Sequence, residues 1–139
     1  MIHIPPCQQP GPISKTGSQF TGQAFPYLTL PATDGVTINT VSFTPGARTY
    51  WHSHDQGQIL QVVAGRGCVQ SEGGDCHELR VGDTVWTPPG ERHWHGAAPD
   101  SYLTHVAISL GTTHWAEELD ELGYQAAVDA LRDAGVLDA

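Results

Sequence analysis

Glycine and proline turns divide the middle of this chain into many short segments. Pairs such as Asp34-Gly35, Pro45-Gly46, Gly73-Gly74 and Gly82-Asp83 separate runs rich in valine, threonine, isoleucine and tyrosine. Because such runs favour strands and such pairs favour tight turns, the pattern predicts nine strands between residues 24 and 109. Even punctuation of this kind is typical of a jelly roll or a small barrel. With 139 residues in all, we expect an all-β fold in one domain.

The two ends of the chain differ in character from this middle part. Residues 1–20 are rich in proline, glutamine, glycine and serine and show no period, so we expect an arm that lies on the domain or on a partner subunit. Residues 21–111 form the predicted barrel. Residues 112–139 are acidic and carry apolar side chains at roughly helical spacing. This spacing predicts a C-terminal extension of one or two short amphipathic helices packed against the barrel.

Polar residues suggest where the C-terminal helical segment begins. Thr112 or Thr113 is expected to cap its start, and Glu117 and Glu118 would then favour the positive end of the helix dipole. Gly123 is expected to interrupt the segment. The predicted apolar face consists of Trp115, Leu119, Leu122, Val128 and Leu131.

Charge and composition limit the partners of this chain. Six Lys and Arg side chains stand against fifteen carboxylates, a net charge of −9, so no surface can offer the cationic stripe that nucleic acid requires. The sequence shows no long apolar run and no basic, apolar leader. Cys7, Cys68 and Cys76 lack the close spacing of zinc or redox motifs and are interpreted as free thiols. We therefore expect a cytoplasmic protein that binds a small molecule and contacts neither nucleic acid nor a membrane.

Two His-x-His pairs carry the strongest chemical signal. In a strand, where side chains alternate between faces, His52 and His54 must point to the same side, and so must His93 and His95. Gln58 shares the parity of the first pair. Neutral imidazole is a common ligand of first-row divalent ions, and an amide oxygen can complete such a set. The pairs therefore predict one divalent metal ion on a sheet.

The surroundings of these histidines resemble the two motifs of the cupin family. The run GARTYWHSHDQGQ at 46–58 resembles the first motif, with Gln58 where most cupins carry Glu. The run GDTVWTPPGERH at 82–93 resembles the second motif, with Ala97 where that motif often ends in Asn. The resemblance implies a jelly-roll β-barrel. It also implies that the metal ligands, facing the barrel interior, are His52, His54, Gln58 and His93.

From about Phe20 to Ser109 the sequence is similar to one branch of that family, the bacterial cupin hydroxynitrile lyases. The resemblance implies a Gln ligand, manganese as the usual metal with iron or zinc accepted, and a homodimer. It also favours His105 as the catalytic base, since the lyase branch uses a histidine at the corresponding place. His95 is the second candidate for the base, and a buried structural imidazole is the alternative role for His105.

Parity and resemblance together indicate which side chains surround a substrate. Thr49 is expected to donate or accept a hydrogen bond with the substrate or with a ligand's second nitrogen. Arg48 is as compatible with a structural salt bridge. For Trp51, Trp86 and Trp94, core packing or a dimer contact explains the residue as well as a pocket wall does. The predicted pocket residues are Asn39, Val41, Leu60, Leu103 and Ser109.

An uncharged ligand set has a chemical consequence. Three imidazoles and one amide leave the cation its full double positive charge, so the centre should be a strong Lewis acid for an alkoxide, an enolate or cyanide. The predicted reaction is carbon–carbon bond cleavage or formation of the hydroxynitrile-lyase kind. An aldol-type cyclisation of aromatic polyketides, an iron-dependent dioxygenation and non-catalytic binding of a small molecule remain as alternatives.

Overall fold

Twelve strands and one helix form the part of the chain that the structure, a computed structural model, describes: residues 1–5, 15–17 and 19–137. The strands are β1 (Lys15–Gly17), β2 (Phe20–Thr33), β3 (Val36–Phe43), β4 (Arg48–Thr49), β5 (His52–His54), β6 (Gly57–Gly65), β7 (Gly67–Ser71), β8 (Cys76–Leu79), β9 (Thr84–Thr87), β10 (His93–Ala97), β11 (Leu103–Leu110) and β12 (Thr113–Trp115). The helix α1 spans Glu121–Asp133. The predicted all-β barrel with a short C-terminal helix is confirmed.

The strands pair antiparallel in one curled sheet. Its order is β12-β5-β10-β4-β2-β3-β11-β6-β9, with β1 added to β2 and with β7 joining β10 to β8. In this order β5 and β10 are neighbours, whereas β6 lies four strands beyond β4. The sheet nevertheless curls until β6 and β10 face each other, because Gln58 Oε1 lies 3.1 Å from His93 Nε2. The two histidine pairs and Gln58 therefore meet inside the barrel.

Alternation along the strands separates the barrel interior from its outside. On β11 every second residue is buried, beginning with Leu103. The interior away from the histidines is packed with apolar side chains, and Leu103 belongs to this core. The buried core members are Phe20, Ala24, Val41, Phe43, Ala47, Val62, Val69, Leu79, Ala97 and Leu103.

The helix begins later than predicted. Asp120 is its N-cap and accepts a hydrogen bond from the backbone N–H of Gly123 at 2.7 Å. Thr113 is part of β12, which pairs with β5, so the prediction that Thr112 or Thr113 caps the helix is wrong. Pairing with β5 gives the backbone of this segment its hydrogen bonds. Gly123 does not interrupt α1 but lies in its first turn, where a Cβ would be 2.9 Å from Leu119 Cδ1.

A second apolar cluster attaches α1 to the outside of the barrel. Leu122, predicted on the apolar face, is 83% exposed, since the helix rotates it toward solvent. Arg48, only 4% exposed, donates to the Leu119 carbonyl at 3.1 Å and lies 4.4 Å from the centre of the Tyr124 ring. Its salt bridge to Glu121 supports the structural role considered for it. The buried cluster comprises Cys68, Trp94, Leu119, Tyr124, Ala127, Val128, Leu131 and Leu137.

Two further expectations concern thiols and membranes. Cys68 and Cys76 carry free thiols, as predicted, and Cys7 lies outside the described residues. Within the described ranges, no helix has the length and apolar character needed to cross a bilayer.

Candidate metal centre

Strands β5 and β10 bring three imidazoles together at the floor of the barrel. His52 and His93 are directly paired across the two strands, and their ring centres lie 4.3 Å apart. The ring of His54 lies 5.1 Å from that of His52 and 5.4 Å from that of His93. All three side chains are buried. The predicted face-sharing of the histidines is therefore realised.

Backbone carbonyls fix the tautomers of two of these rings. His52 Nδ1 lies 2.9 Å from the carbonyl oxygen of Tyr50, and His93 Nδ1 lies 2.9 Å from that of Glu91. A carbonyl oxygen only accepts, so each Nδ1 carries the proton and each Nε2 keeps a lone pair. Both lone pairs face the interior. Carbonyl contacts of this kind are typical of histidines that bind metals.

Gln58 adds an oxygen to the same point. Its side-chain N–H donates to Ser109 Oγ at 3.0 Å, which leaves its Oε1 3.1 Å from His93 Nε2. Since His93 Nε2 has no proton, two acceptors face each other at this distance. A cation between or beside them converts the repulsion into coordination. The residues present therefore fit a divalent metal ion.

A fourth imidazole enlarges the group. The nitrogens that His52, His93 and His95 offer all lie within 4.8 Å of one another, so these three residues form a group that can hold a metal ion. His95 Nε2 is buried and has no hydrogen-bond partner in the described structure, and the same is true of His54 Nε2. Gln58 Oε1 lies beside His93 Nε2 and adds an oxygen donor next to this group.

Burial keeps these imidazoles neutral. It lowers the pKa of His54 to about 4, with a smaller contribution from His93. Burial also brings the pKa values of His52 and His95 well below the ordinary 6.5, and neighbouring imidazoles lower them further. At neutral pH the rings therefore present lone pairs and not N–H groups to a cation.

His95 and His105 form a hydrogen-bonded pair behind this group. His95 Nδ1 lies 2.9 Å from His105 Nε2, and burial lowers the pKa of His105 to about 4. His95 lines the barrel cavity, whereas His105, also fully buried, lies behind it and does not line it. The structure thus places His95, the second candidate for the base, next to the cavity.

The cavity above the histidines has a volume of about 590 Å³. Its floor is polar and its upper walls are largely apolar, so it suits a molecule with a reactive polar group and an apolar body. The apolar wall residues are Phe20, Pro26, Leu28, Pro31, Val41, Phe43, Ala107 and Trp115. The polar lining residues are Gln19, Thr37, Asn39, Thr49, His52, His54, Gln58, His95, Ser109 and Thr113.

Comparisons with known proteins show the family to which this chain belongs. The family model described as a cupin domain matches residues 39–108. The chain is a cupin. It is 45% identical over 107 residues to an (R)-mandelonitrile lyase of Granulicella tundricola, a match that covers 69% of this cupin and 82% of the relative.

Solved structures of other proteins share the fold. A cupin-like protein from Thermotoga maritima superposes with a TM-score of 0.82 at 36% identity, covering 86% of this cupin and 96% of that chain. A polyketide cyclase from Streptomyces resistomycificus superposes with a TM-score of 0.69, covering 94% and 98% of the two chains. At 15% identity the latter shows a common fold only.

Most of the predicted pocket residues line the cavity of this cupin. Asn39, Val41 and Ser109 are in its walls. Leu60 and Leu103 are not among its lining residues. Both are fully buried. An inward-facing side chain can pack in the apolar core or line the cavity, and strand parity does not distinguish the two.

Sequence reasoning missed the walls supplied by β2 and β12. Phe20 is the first residue of β2, and Pro26 and Leu28 continue the same inward parity along that strand. This period of two was the available signal. Trp115 was assigned to a helix, yet its ring lies 4.6 Å from that of His52. Its position depends on the pairing of β12 with β5, for which the sequence carries no local signal.

Proposed function

We propose that this cupin is a metal-dependent enzyme that cleaves or forms a carbon–carbon bond, in the manner of a hydroxynitrile lyase. The observation that carries the proposal is the convergence of lone pairs from His52, His93 and Gln58 beside a cavity that is lined by His52, Gln58 and His95. Such an arrangement pairs a cation site with a proton acceptor. The similarity to an (R)-mandelonitrile lyase supports the same reaction class.

The metal ligands in this proposal are His52, His54, Gln58 and His93. All four side chains are uncharged at neutral pH. The bound ion would supply Lewis acidity at the floor of the cavity. Manganese, iron or zinc suits a set of three imidazoles and one amide oxygen. His95 is left with its own lone pair and serves the substrate.

His95 takes up the substrate proton in this scheme. With the shared proton on His95 Nδ1, donated to His105 Nε2, the Nε2 of His95 holds a lone pair at the cavity. It accepts the hydroxyl proton of a cyanohydrin as the carbon–carbon bond breaks. The electron pair of that bond leaves with cyanide, and the carbonyl of the aldehyde forms. Transfer of the proton from His95 to cyanide then completes the reaction.

Neighbouring residues position His95. His105 accepts the hydrogen bond from behind and fixes the ring orientation. Thr49 Oγ1 accepts a hydrogen bond from the backbone N–H of His95 at 3.2 Å, which holds β10 in place. Because that contact uses an acceptor site of Thr49, its own O–H proton remains available to donate to a substrate oxygen.

Anaerobic turnover of a cyanohydrin tests the proposal. Protein stripped of metal is reloaded separately with manganese, iron or zinc, and benzaldehyde release from mandelonitrile is followed without dioxygen. We expect metal-dependent turnover that falls by about 100-fold or more in His95→Ala, as general-base loss costs 10²–10⁴. The His114→Ala variant is the matched control, since His114 is an exposed histidine on β12.

The second variant to compare is His105→Phe. It leaves His95 in place but removes its hydrogen-bond acceptor, so we expect a smaller loss than in His95→Ala. A larger loss in His105→Phe would assign the base to His105 instead. Turnover that requires both iron and dioxygen would contradict the lyase proposal and point to an oxygenase.

The size of the cavity favours one further candidate. About 590 Å³ is within the range of pockets for drug-sized ligands and more than a single aromatic ring needs. An aldol-type cyclisation of an aromatic polyketide would use the same cation site and the same base with a longer substrate. Metal-dependent cyclisation of a poly-β-keto thioester analogue, together with no turnover of mandelonitrile, would select this candidate.

A further inference from the structure

Strands β7 and β8 bring two cysteines together on the outside of the barrel. In this antiparallel hairpin Cys68 of β7 pairs with Glu78 of β8, and Gln70 pairs with Cys76. Because side chains alternate between the faces of a strand, Cys68, Cys76 and Glu78 share one face of the hairpin. That face packs against α1, since Cys68 belongs to the apolar cluster of the helix and Cys76 packs against this cluster.

The two thiols contact each other on this face. Both are free, and the Cys68 thiol donates a hydrogen bond to the sulfur of Cys76. This hydrogen bond lowers the pKa of the Cys76 thiol, whereas the same bond together with burial raises the pKa of Cys68. Since a thiolate and not a thiol is the nucleophile, Cys76 is the more reactive member of the pair.

The two cysteines also differ in their access to solvent. Cys68 is fully buried, whereas Cys76 is partly exposed. Neither cysteine is among the residues that line the barrel cavity. A small oxidant in solution therefore reaches Cys76 first, and it does so from outside the barrel.

Glu78 places a carboxylate next to this pair. Its side chain is only 6% exposed, and its Oε2 accepts a hydrogen bond from Arg80 Nε at 2.7 Å. Its Oε1 is buried and has no hydrogen-bond partner among the described residues. A buried oxygen without a donor is unusual in a folded protein. Because Glu78 is directly paired with Cys68 and faces the same side, this oxygen is positioned to take up the Cys68 proton.

We propose that Cys76, Cys68 and Glu78 form a site at which a hydroperoxide oxidises this chain to an intramolecular disulfide. The Cys76 thiolate attacks one peroxide oxygen, the O–O bond breaks, and the other oxygen takes up a proton and leaves as an alcohol or water. Cys76 is then a sulfenic acid. Glu78 takes the proton of Cys68, whose sulfur attacks the sulfur of Cys76 and displaces hydroxide.

The atoms and electrons of this sequence balance. The displaced hydroxide combines with the proton held by Glu78 and leaves as water. Two thiols lose two electrons and become one disulfide, while one hydroperoxide gains them and becomes one alcohol and one water. A thiol reductant returns the disulfide to the two thiols.

The hairpin can close this disulfide with a small movement. Diagonal neighbours on paired strands have Cα atoms about 7–8 Å apart, just beyond the roughly 4.4–6.8 Å that a disulfide spans. Within the described ranges β8 pairs with β7 alone, and the turn between the two strands contains Gly73 with a left-handed φ of 73°. An edge strand on a glycine turn can shift toward Cys68 without breaking a second ladder of hydrogen bonds.

Packing is the ordinary role of cysteines in an apolar cluster. That role requires neither partial exposure of Cys76 nor a carboxylate oxygen without a donor beside Cys68. Both features serve an oxidation site. The inference stands on the hairpin alone and does not depend on the reaction in the cavity.

The test is peptide mass spectrometry of the full-length protein after treatment with hydrogen peroxide. Trypsin cleaves after Arg66 and Arg80, so the peptide 67–80 contains both cysteines. Reduced protein is treated with an equimolar amount of hydrogen peroxide, and remaining thiols are blocked with N-ethylmaleimide under denaturing conditions. We expect a peptide that lacks two hydrogens and carries no maleimide, and that is doubly blocked if dithiothreitol is added before the block. A doubly blocked peptide directly after peroxide treatment would overturn the inference.

Cysteine variants separate the attacking sulfur from the resolving one. In Cys68→Ala we expect the sulfenic acid of Cys76 to persist and to be captured by dimedone. In Cys76→Ala, Cys68 should keep its thiol under the same treatment. The control Cys7→Ser should form the disulfide as wild type does, and far-ultraviolet circular dichroism checks the fold of each variant. Oxidation of Cys68 at the wild-type rate in Cys76→Ala would contradict the proposed order.

Glu78→Gln tests the proton acceptor. We expect the disulfide to form about 10-fold more slowly or worse, because a general base is lost, while Cys76 loses its thiol at the wild-type rate. Glu72→Gln is the matched control, since Glu72 is a 63% exposed carboxylate at the end of β7. Equal rates of disulfide formation in the two variants would remove Glu78 from the site.

Discussion

At the scale of single residues, the chemistry of this cupin depends on which atom of each side chain faces the cavity. The carbonyls of Tyr50 and Glu91 each accept a hydrogen bond from the Nδ1–H of the histidine two residues later. Ser109 Oγ accepts a hydrogen bond from the side-chain amide N–H of Gln58, so that Gln58 Oε1 faces the histidines. Three short contacts thus decide that lone pairs, and not N–H groups, converge on the candidate metal position.

The charge of the ligand set can be changed at one residue. Gln58→Glu adds a carboxylate of nearly the same shape, and Ser109 can still bond to it by donating its O–H. We expect tighter metal binding, by about 10-fold, because opposite charges attract, and a lower kcat, because the added charge weakens the Lewis acid. Competition with a fluorescent chelator measures the metal affinity, and steady-state kinetics measures kcat.

Gln56→Glu is the matched control for that variant. Gln56 is exposed and two residues away in the chain, so it adds the same charge without touching the cation site. An equal gain in metal affinity in both variants would show that Gln58 is not a ligand.

At the scale of elements, β12 is the strand that the sequence did not reveal. The sequence of β12 does not predict a strand, because residues 112–120 combine threonines with acidic residues, a combination that is typical of the start of a helix. The pairing of Thr113 with His54 is a contact across 59 positions of the chain. By contrast, local parity alone predicts that His52, His54 and Gln58 share one face. Strand register within one segment is a local property, whereas the choice of a distant partner strand is not.

Replacing Thr113 tests the role of β12 at the site. Thr113 Oγ1 lies 2.9 Å from His54 Nδ1 and so holds that ring. Thr113→Val keeps the shape and removes the hydroxyl, and we expect metal affinity to fall about 10-fold or more, the usual cost of losing a partner of a ligating histidine. Thr112→Val, at an exposed position next to it, should bind metal as wild type does. Unchanged affinity in Thr113→Val would remove β12 from the metal site.

The helix is joined to the barrel by a contact that can be measured separately. The Tyr124 hydroxyl donates to the Ala97 carbonyl at 2.8 Å in a buried position. In Tyr124→Phe this carbonyl loses its partner, and we expect the free energy of unfolding to fall by about 1–2 kcal/mol. Urea denaturation gives the value, with Tyr102→Phe as control because Tyr102 is 56% exposed. A loss of equal size in both variants would contradict a specific role for this hydrogen bond.

At the scale of the whole molecule, the cation site joins parts of the barrel that are far apart in the sheet. His52 and His93 come from neighbouring strands, while Gln58 reaches them from β6 on the opposite wall. Without a cation, the lone pairs of His93 Nε2 and Gln58 Oε1 repel each other across the interior. A bound ion would therefore hold the two walls together, and the fold and the site should share their stability.

Removing the metal tests this coupling. An ion that binds the folded but not the unfolded chain stabilises it by RT ln(1 + [M]/Kd), about 4 kcal/mol at a thousandfold excess over Kd. For a domain of this size that corresponds to a rise in Tm of about 10–15 °C, measured by differential scanning calorimetry of chelated protein before and after addition of manganese or zinc. Acidic surface side chains could also bind cations weakly, so His52→Ala belongs beside the wild type. If the proposed site is correct, the variant unfolds at one temperature with or without the ion, whereas an equal rise in both proteins would place the stabilising ion elsewhere.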